Sequence, residues 1–312
     1  MKSNLEIIQK ADLALADIAP GGLLVPKQAA RFLKIAIKKN VMSNMVRSVT
    51  MTHPEEEQPK LLWTGQVLHP ATGGTALTEA QRAKPTFDKV SLVSKLAKAE
   101  VHIHREVLED QIERNVFKNT LVGFLGEKVG GDIENALING DVASANDWLA
   151  LQDGIIKKIT TNVVLAGVVD LDEDILSDTV DAMPEEFDDQ AGLQFFTNRT
   201  ARSRYRLTQS GRATANLGDG IIMGNVRPTL GYDGVPLTKV PRFPNNLGGG
   251  TNETVVLYLD PRNVILGFQR KVTLETEFRI SEQVWAIVVT LRMAIQIEHE
   301  PATAKATQVL GQ

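Results

Sequence analysis

The residues with the most chemical reach in this chain are His102 and His104, two imidazoles one residue apart, with Glu106 just beyond them. On a strand that spacing puts both rings on one face, where they can hold a divalent metal to which Glu106 would add an oxygen ligand. No third histidine lies close in sequence and the run passes into a helical pattern there, so surface or structural histidines are expected. Asp170, Asp172 and Asp174 with Glu173 suggest a calcium loop. Such a loop needs a glycine at its sixth position and a glutamate at its twelfth, but Ile175 and Asp181 stand there, so helix capping is the reading.

Arg199, Arg202, Arg204, Arg206 and Arg212 form a basic patch on a predicted helix over Arg199–Ser210. Guanidiniums so spaced can contact phosphate, but ion pairs with the protein's own acidic surface or a neighbour's are the expectation. Gly248-Gly249-Gly250 lacks the Lys-Ser/Thr of a phosphate loop and reads as a flexible turn. Glu106, Glu109 and Glu113 lie along one helix, where pairing with Arg105 and Arg114 accounts for them. Acid, base and nucleophile are nowhere brought together, so neither an enzyme nor a cofactor or metal is expected.

Composition narrows the classes further. With 312 residues, 43% of them apolar, the chain can bury a substantial core. It has no cysteine, which excludes disulfides, thiolate metal sites and cysteine nucleophiles. Lys and Arg number 34 against 38 Asp and Glu, a net charge of −4 that argues against a broad grip on nucleic acid or anionic membrane. No window reaches the roughly eighteen apolar residues of a membrane span.

The elements that must position these residues are unusual in length. Phe87, Val90, Leu92, Val93 and on to Val101 and Ile103 read as strand. From Glu106 the apolar residues fall at Leu108, Ile112, Val116, Phe117, Leu121, Phe124, Leu125, Val129, Ile133 and Leu137, the spacing of one buried helical stripe. A helix of about thirty residues would be on the order of 45–50 Å long, a strut rather than a domain helix. Before it, residues 49–84 carry an acidic run at Glu55–Glu57 and little core of their own. Their flanks, Val46–Thr52 and Thr86–Ile103, are expected to pair as a two-stranded ribbon that needs another surface to rest on. Residues 5–13 suggest a short amphipathic helix. Residues 151–255 alternate helical and strand-like pieces, including a helix over Asp172–Met183 and a strand over Leu193–Thr197. Val272–Ile280 and Trp285–Ile297 alternate with a parity switch after Ser281, which predicts a hairpin with one buried face.

This order of parts resembles the major capsid protein of tailed bacteriophages, the Hong Kong phage-type fold that encapsulin shells share. Phe196-Thr197-Asn198 before the Arg199–Ser210 helix, Gly231-Tyr232-Asp233-Gly234-Val235-Pro236-Leu237, Val256–Asp260 with Val264-Ile265-Gly267, and Arg292 to Pro301-Ala302 resemble segments of that family. The resemblance implies an α+β fold in four parts. These are an N-terminal arm (1–48), an extended loop (49–104), a peripheral domain with a long spine helix (105–150 and 256–312) and an axial domain (151–255).

What the resemblance implies for function is structural: copies assemble as hexamers and pentamers into an icosahedral phage head around double-stranded DNA. The chain's main partner would be itself, with Leu61, Leu62, Trp63 and Val67 of the loop and Glu185, Glu186 and Arg227 of the axial domain as intersubunit contacts. A separate scaffolding protein is expected, because only about twenty residues precede Pro20-Gly21-Gly22. A portal at one vertex and weak, non-specific contact with packaged DNA complete the set, in a virion assembled in the host bacterial cytoplasm and without a membrane. No covalent cross-link through Lys60 or Lys84 is expected. An encapsulin-like compartment is the alternative, and a metal-dependent enzyme using His102, His104 and Glu106 the distant one.

Overall fold

A computed structural model of the protein describes residues 12–13, 40–62, 67–70, 76–82, 86–106, 115–188, 191–210, 230–247 and 252–311. Near the start, β1 (Asp12–Leu13) is extended where a helix over residues 5–13 is expected from the sequence; the rest of that stretch lies outside the described residues. β2 (Arg47–Thr50), β3 (Glu55–Leu62), β4 (Thr86–Val93) and β5 (Lys95–His104) follow. The backbone is helical at Arg105–Glu106 and again through α1 (Asn115–Asn139), with residues 107–114 outside the described set.

Downstream come α2 (Ile155–Lys158), β6 (Val163–Val169), α3 (Glu173–Asp181), β7 (Gln194–Thr197) and α4 (Arg199–Ser210). β8 (Gly231–Tyr232) and β9 (Val235–Lys239) are joined by Asp233-Gly234, both at positive φ as a two-residue hairpin turn requires. The chain closes with β10 (Glu253–Leu259), β11 (Val264–Arg279), β12 (Val284–Ile297) and β13 (Thr303–Leu310).

Two sheets result. The first runs β1-β5-β12-β11-β2 and the second β6-β13-β10-β7-β9-β8, while β3 and β4 pair only with each other. The predicted hairpin is β11–β12, with Leu274 opposite Val289 and Phe278 opposite Trp285. Its odd-numbered β12 residues Val289, Leu291, Met293 and Ile295 share one apolar cluster with Val129, Ile133 and Leu137 of α1, so the long helix lies on this face. Leu121, Val122 and Leu125 continue the contact toward Ile103, Ile287 and Trp285. Leu121 and Ile133 thus pack as the sequence predicts, and the side chain of Phe117 lies outside the described residues. α1 ends where Gly140 meets Gly154 backbone to backbone, with Gly154 N donating to Gly140 O at 2.9 Å. A Cβ on Gly140 would sit 2.3 Å from Gln152 O, so only glycine closes this turn.

The second sheet is covered on both faces. Phe196, Val255, Leu257 and Leu259 face α1, and Phe195, Val256 and Tyr258 face α3 and α4 through Ile175, Leu176, Ala201 and Tyr205. Double coverage explains why β10 is buried along its whole length and why its Val255–Leu259 reads as an unbroken apolar run.

Two expectations need correction. The ribbon is formed by Glu55–Leu62 with Thr86–Val93, register Glu55 opposite Val93 and Leu62 opposite Thr86. The expected partners Val46–Thr52 and Lys95–Ile103 instead lie in the first sheet, β2 beside β11 and β5 beside β12. The strand predicted over Thr86–Ile103 breaks at Ser94, whose N–H donates to Pro54 O at 2.8 Å and whose hydroxyl donates to Gln269 Oε1 at 3.0 Å. The expected boundary at 255/256 also cuts through β10. β10 and β13 join the second sheet, pairing with β7 and β6, so only β11 and β12 of residues 256–312 lie beside α1's sheet.

Candidate interaction surfaces

His102, Asp170 and Asp172, among the residues singled out for chemistry, are spent on local structure. His102 Nε2 lies 2.7 Å from Glu100 Oε1, and the same carboxylate meets Lys98 Nζ at 2.6 Å and Arg279 Nη2 at 3.3 Å. Hydrogen bonds from Lys98 and then His102 hold Glu100 far below the ordinary carboxylate range, at about 2. Among the described residues no group of three or more His, Asp and Glu side chains is gathered to hold a metal ion. Asp172 caps α3, accepting from Ile175 N at 3.0 Å, and Asp170 pairs with Arg204.

Two arginines of α4, Arg202 and Arg204, are likewise engaged within the chain, and Arg212 lies outside the described residues. Arg202 Nε donates to Leu237 O at 3.0 Å, tying α4 to β9. Asn198 is the N-cap of α4, accepting from Ala201 N at 2.7 Å, and its amide donates to Gly311 O at 2.9 Å. The Phe196-Thr197-Asn198 motif is therefore a strand end, a cap and a fastener for the C-terminal strand. A second fastener is Glu300, whose Oε1 accepts from Thr160 N and Oγ1 at 2.7 and 2.8 Å and from Thr161 N and Oγ1 at 3.0 and 3.3 Å.

What the chain presents outward is apolar surface on paired backbone. On the ribbon, Val90 and Leu92 point inward, and Leu92 is buried against Met51, Ile265 and Ala294 on the face of the first sheet opposite α1. The other parity of β4 points to solvent, where Phe87 is 77% exposed. Lys89 on that strand pairs with Glu57 across the ribbon at 2.6 Å. The ribbon is therefore anchored at its base and carries a large exposed aromatic toward its far end. On the second sheet, β6 alternates so that Val163, Leu165 and Val169 face outward, Leu165 being 70% exposed. Ile280, at the β11–β12 turn, is 80% exposed.

The predicted contact residues distribute over these features. Leu61 and Leu62 lie in β3 opposite Phe87 and Thr86, and their side chains are outside the described set. Val67 is about half exposed. Glu185 and Glu186 stand exposed on the turn Glu185–Phe187 after α3. Trp63 and Arg227 lie outside the described residues. Phe87, Leu165 and Ile280 are surface features missed in the sequence reading. Phe87 was legible there, because it sits on the opposite parity to Val90 and Leu92.

Comparison with known proteins follows the geometry. Residues 21–307 match the model of the phage capsid family. The protein YqbE of Bacillus subtilis (strain 168), named as a prophage capsid protein, is 29% identical over 311 residues, covering 98% of this chain and 99% of that one. Among solved structures, the capsid of a native GTA particle superposes with a TM-score of 0.69 at 15% identity, covering 94% of this chain and 98% of that chain. A Microbacterium phage Oxtober96 structure gives 0.63 at 17%, covering 96% and 99%. An encapsulin from Synechococcus elongatus PCC 7942 gives 0.59 at 12%, covering 96% and 98%.

Proposed function

This chain belongs to the phage capsid family and is a structural capsid protein of the virion, and from that premise we propose how its copies meet. The first sheet with α1 serves as the peripheral domain, and the second sheet with α3 and α4 as the axial domain. The β3–β4 ribbon crosses onto a neighbouring copy. The observation that carries this reading is Phe87, 77% exposed on a ribbon that packs against the first sheet through Leu92 near its base. A two-stranded ribbon gains stability only from a third surface, and a large exposed aromatic is the usual anchor for one. Leu61, Leu62, Trp63 and Val67 extend the same contact. Glu185, Glu186 and Arg227 meet copies nearer the capsomer axis.

Hexamers and pentamers closing an icosahedral head around double-stranded DNA, with a scaffolding protein and a portal assembled in the host cytoplasm, belong to the same proposal. A net charge of −4 suits a wall along which DNA must slide, since strong counterion-releasing contacts would hold it. The role is mechanical, with no catalysis assigned. The family match and the capsid name of the relative favour a phage head over an encapsulin-like compartment.

The test is negative-stain microscopy and size-exclusion chromatography of the protein expressed with its neighbouring head genes. Closed shells or ring-shaped capsomers are expected, and a protein that stays monomeric under all such conditions refutes the proposal. Double-stranded DNA in mature particles supports the head reading, whereas shells loaded with one enzyme would replace it with the compartment reading.

A further inference from the structure

Glu134, on α1, is the one acidic side chain with no exposure at all among the described residues. Its Oε1 accepts from Val41 N and from Met42 N, both at 2.7 Å, and so holds the root of the arm onto α1. Its Oε2 lies 3.4 Å from Arg242 Nε. Arg242 reaches it by lying across Gly131, where a Cβ would fall 2.0 Å from Nη2. Asn139 of α1 donates to Arg242 O at 2.8 Å. Behind Arg242, residues 240–247 are bound to the second sheet through Val240 N to Thr197 O at 2.8 Å and Asn198 Nδ2 to Asn245 Oδ1 at 2.9 Å.

The network is only partly satisfied. Glu134 Oε2, Arg242 Nε, Asn139 Oδ1 and Asn40 Oδ1 are buried and have no hydrogen-bond partner among the described residues. The guanidinium thus neutralises the carboxylate by proximity without a well-aligned hydrogen bond. A buried carboxylate is tolerated only while its counter-charge stays in place, and incomplete networks are the ones that small shifts rearrange.

We propose that Glu134 and Arg242 form a latch coupling the root of the N-terminal arm to the 240–247 loop of the second sheet. Moving that loop off Gly131 removes the counter-charge, and the carboxylate then exchanges its two arm amides for water. By linkage, loosening the arm root must loosen the loop in return. The latch is a property of the folded subunit and stands whether or not the arm reaches a neighbouring copy.

Hydrogen–deuterium exchange on the full-length protein tests it, with Arg242→Met, Glu134→Gln and the double variant. In Arg242→Met, exchange of peptide 40–46 should rise on the order of a hundredfold, as expected for a buried ion pair losing one member, while peptide 284–297 of β12 is unchanged. Glu134→Gln should raise exchange in peptide 240–247 about tenfold yet leave 40–46 near the wild-type rate, because a neutral amide oxygen still accepts from Val41 and Met42. The double variant should bring 40–46 back toward the wild-type rate. Equal acceleration of 284–297 in Arg242→Met, or no change at 240–247 in Glu134→Gln, overturns the latch. If Arg242→Met does not fold, the double variant and Glu134→Gln still decide it.

Discussion

Four glycines, Gly123, Gly126, Gly130 and Gly131, fall within α1, and replacing each by alanine separates helix propensity from packing. A glycine in a helix interior costs about 0.5–1 kcal/mol relative to alanine. An added Cβ at Gly123 or Gly126 meets nothing within 4 Å among the described residues. Gly123→Ala and Gly126→Ala should therefore each stabilise the unassembled subunit by about 0.5–1 kcal/mol, with a gain of roughly 2–3 °C in Tm for the pair. At Gly130 the new methyl stands 2.9 Å from Asn40 Nδ2, the end of a side chain that can turn aside, so the change should be near neutral. At Gly131 it falls 2.0 Å from Arg242 Nη2 and 2.8 Å from Cζ, and the guanidinium must leave Glu134. A gain of up to ~1 kcal/mol from propensity is then set against ~3–5 kcal/mol for an uncompensated buried charge, a net loss of about 2–4 kcal/mol. Urea unfolding of unassembled subunits, followed by circular dichroism, measures all four. A Gly131→Ala subunit as stable as wild type, or a Gly123→Ala subunit less stable by ~1 kcal/mol or more, would refute this account of α1.

The remaining predictions concern the ribbon and the crossover after β12. Phe87→Ala should leave subunit unfolding within about 0.5 kcal/mol of wild type but reduce shell yield, whereas Leu92→Ala should cost about 2–5 kcal/mol in the subunit itself. Matched unfolding curves and assembly yields check both, and a subunit destabilised by Phe87→Ala would place that ring in an internal contact. Burial alone would push the Glu300 carboxyl up, but the hydrogen bonds from Thr160 and Thr161 outweigh it and hold it below its ordinary value of 4.5. Its folded-state value is depressed, so its stabilisation is complete above 4.5 and fades as pH falls through the lower value. The stability gap between wild type and Glu300→Gln should thus narrow from about pH 6 to about pH 3, and a gap independent of pH would refute the assignment.

Period and parity carried the sequence reading where neighbours along the chain decide the structure. Trp285 to Ile297 alternate because one face of β12 meets α1, and Asp172 and the Arg199–Ser210 helix follow from local capping and spacing. Where pairing is long-range, the residues carry no address. Glu55-Glu56-Glu57 looks like loop, since three carboxylates have poor strand propensity, yet both faces of that stretch are open enough to take them. What places it in a ribbon is Leu92, on the partner strand, settling against Met51 and Ile265. Val255 to Leu259 is plainly a buried strand, but its choice of β7 and β13 over β11 is made by distant partners, Leu257 meeting Phe196 well upstream and Lys305 well downstream. Of the contact residues, Phe87 was readable from parity, whereas Glu134 reads as one more polar residue of a helix stripe. Its burial depends on Val41, Met42 and Arg242 arriving from opposite ends of the chain.

The apolar interior also decides where a shell subunit can bend. Met293 of the first sheet, Ile133 and Leu137 of α1, and Phe196 and Leu257 of the second sheet belong to one contiguous cluster. A close-packed interior of that kind has discrete arrangements rather than continuous ones, so the two sheets cannot slide apart without opening it. Under the proposed assembly, the same subunit nevertheless meets different neighbours at different positions of a closed shell. That adaptation is expected in parts whose backbone pairs outside the common core, namely the ribbon, held at Leu92 and Ser94, and the β11–β12 tip at Ile280, whereas the arm root is held by Met42 and Val46 inside that core as well as by Glu134. The ribbon is fastened by packing and hydrogen bonds, and the tip by the Arg279–Glu100 ion pair within the first sheet. The arm root packs through Met42 and is also fastened by a charge whose partner, Arg242, is bound to the second sheet, which makes it the place where a change in one half of the subunit is felt by the other.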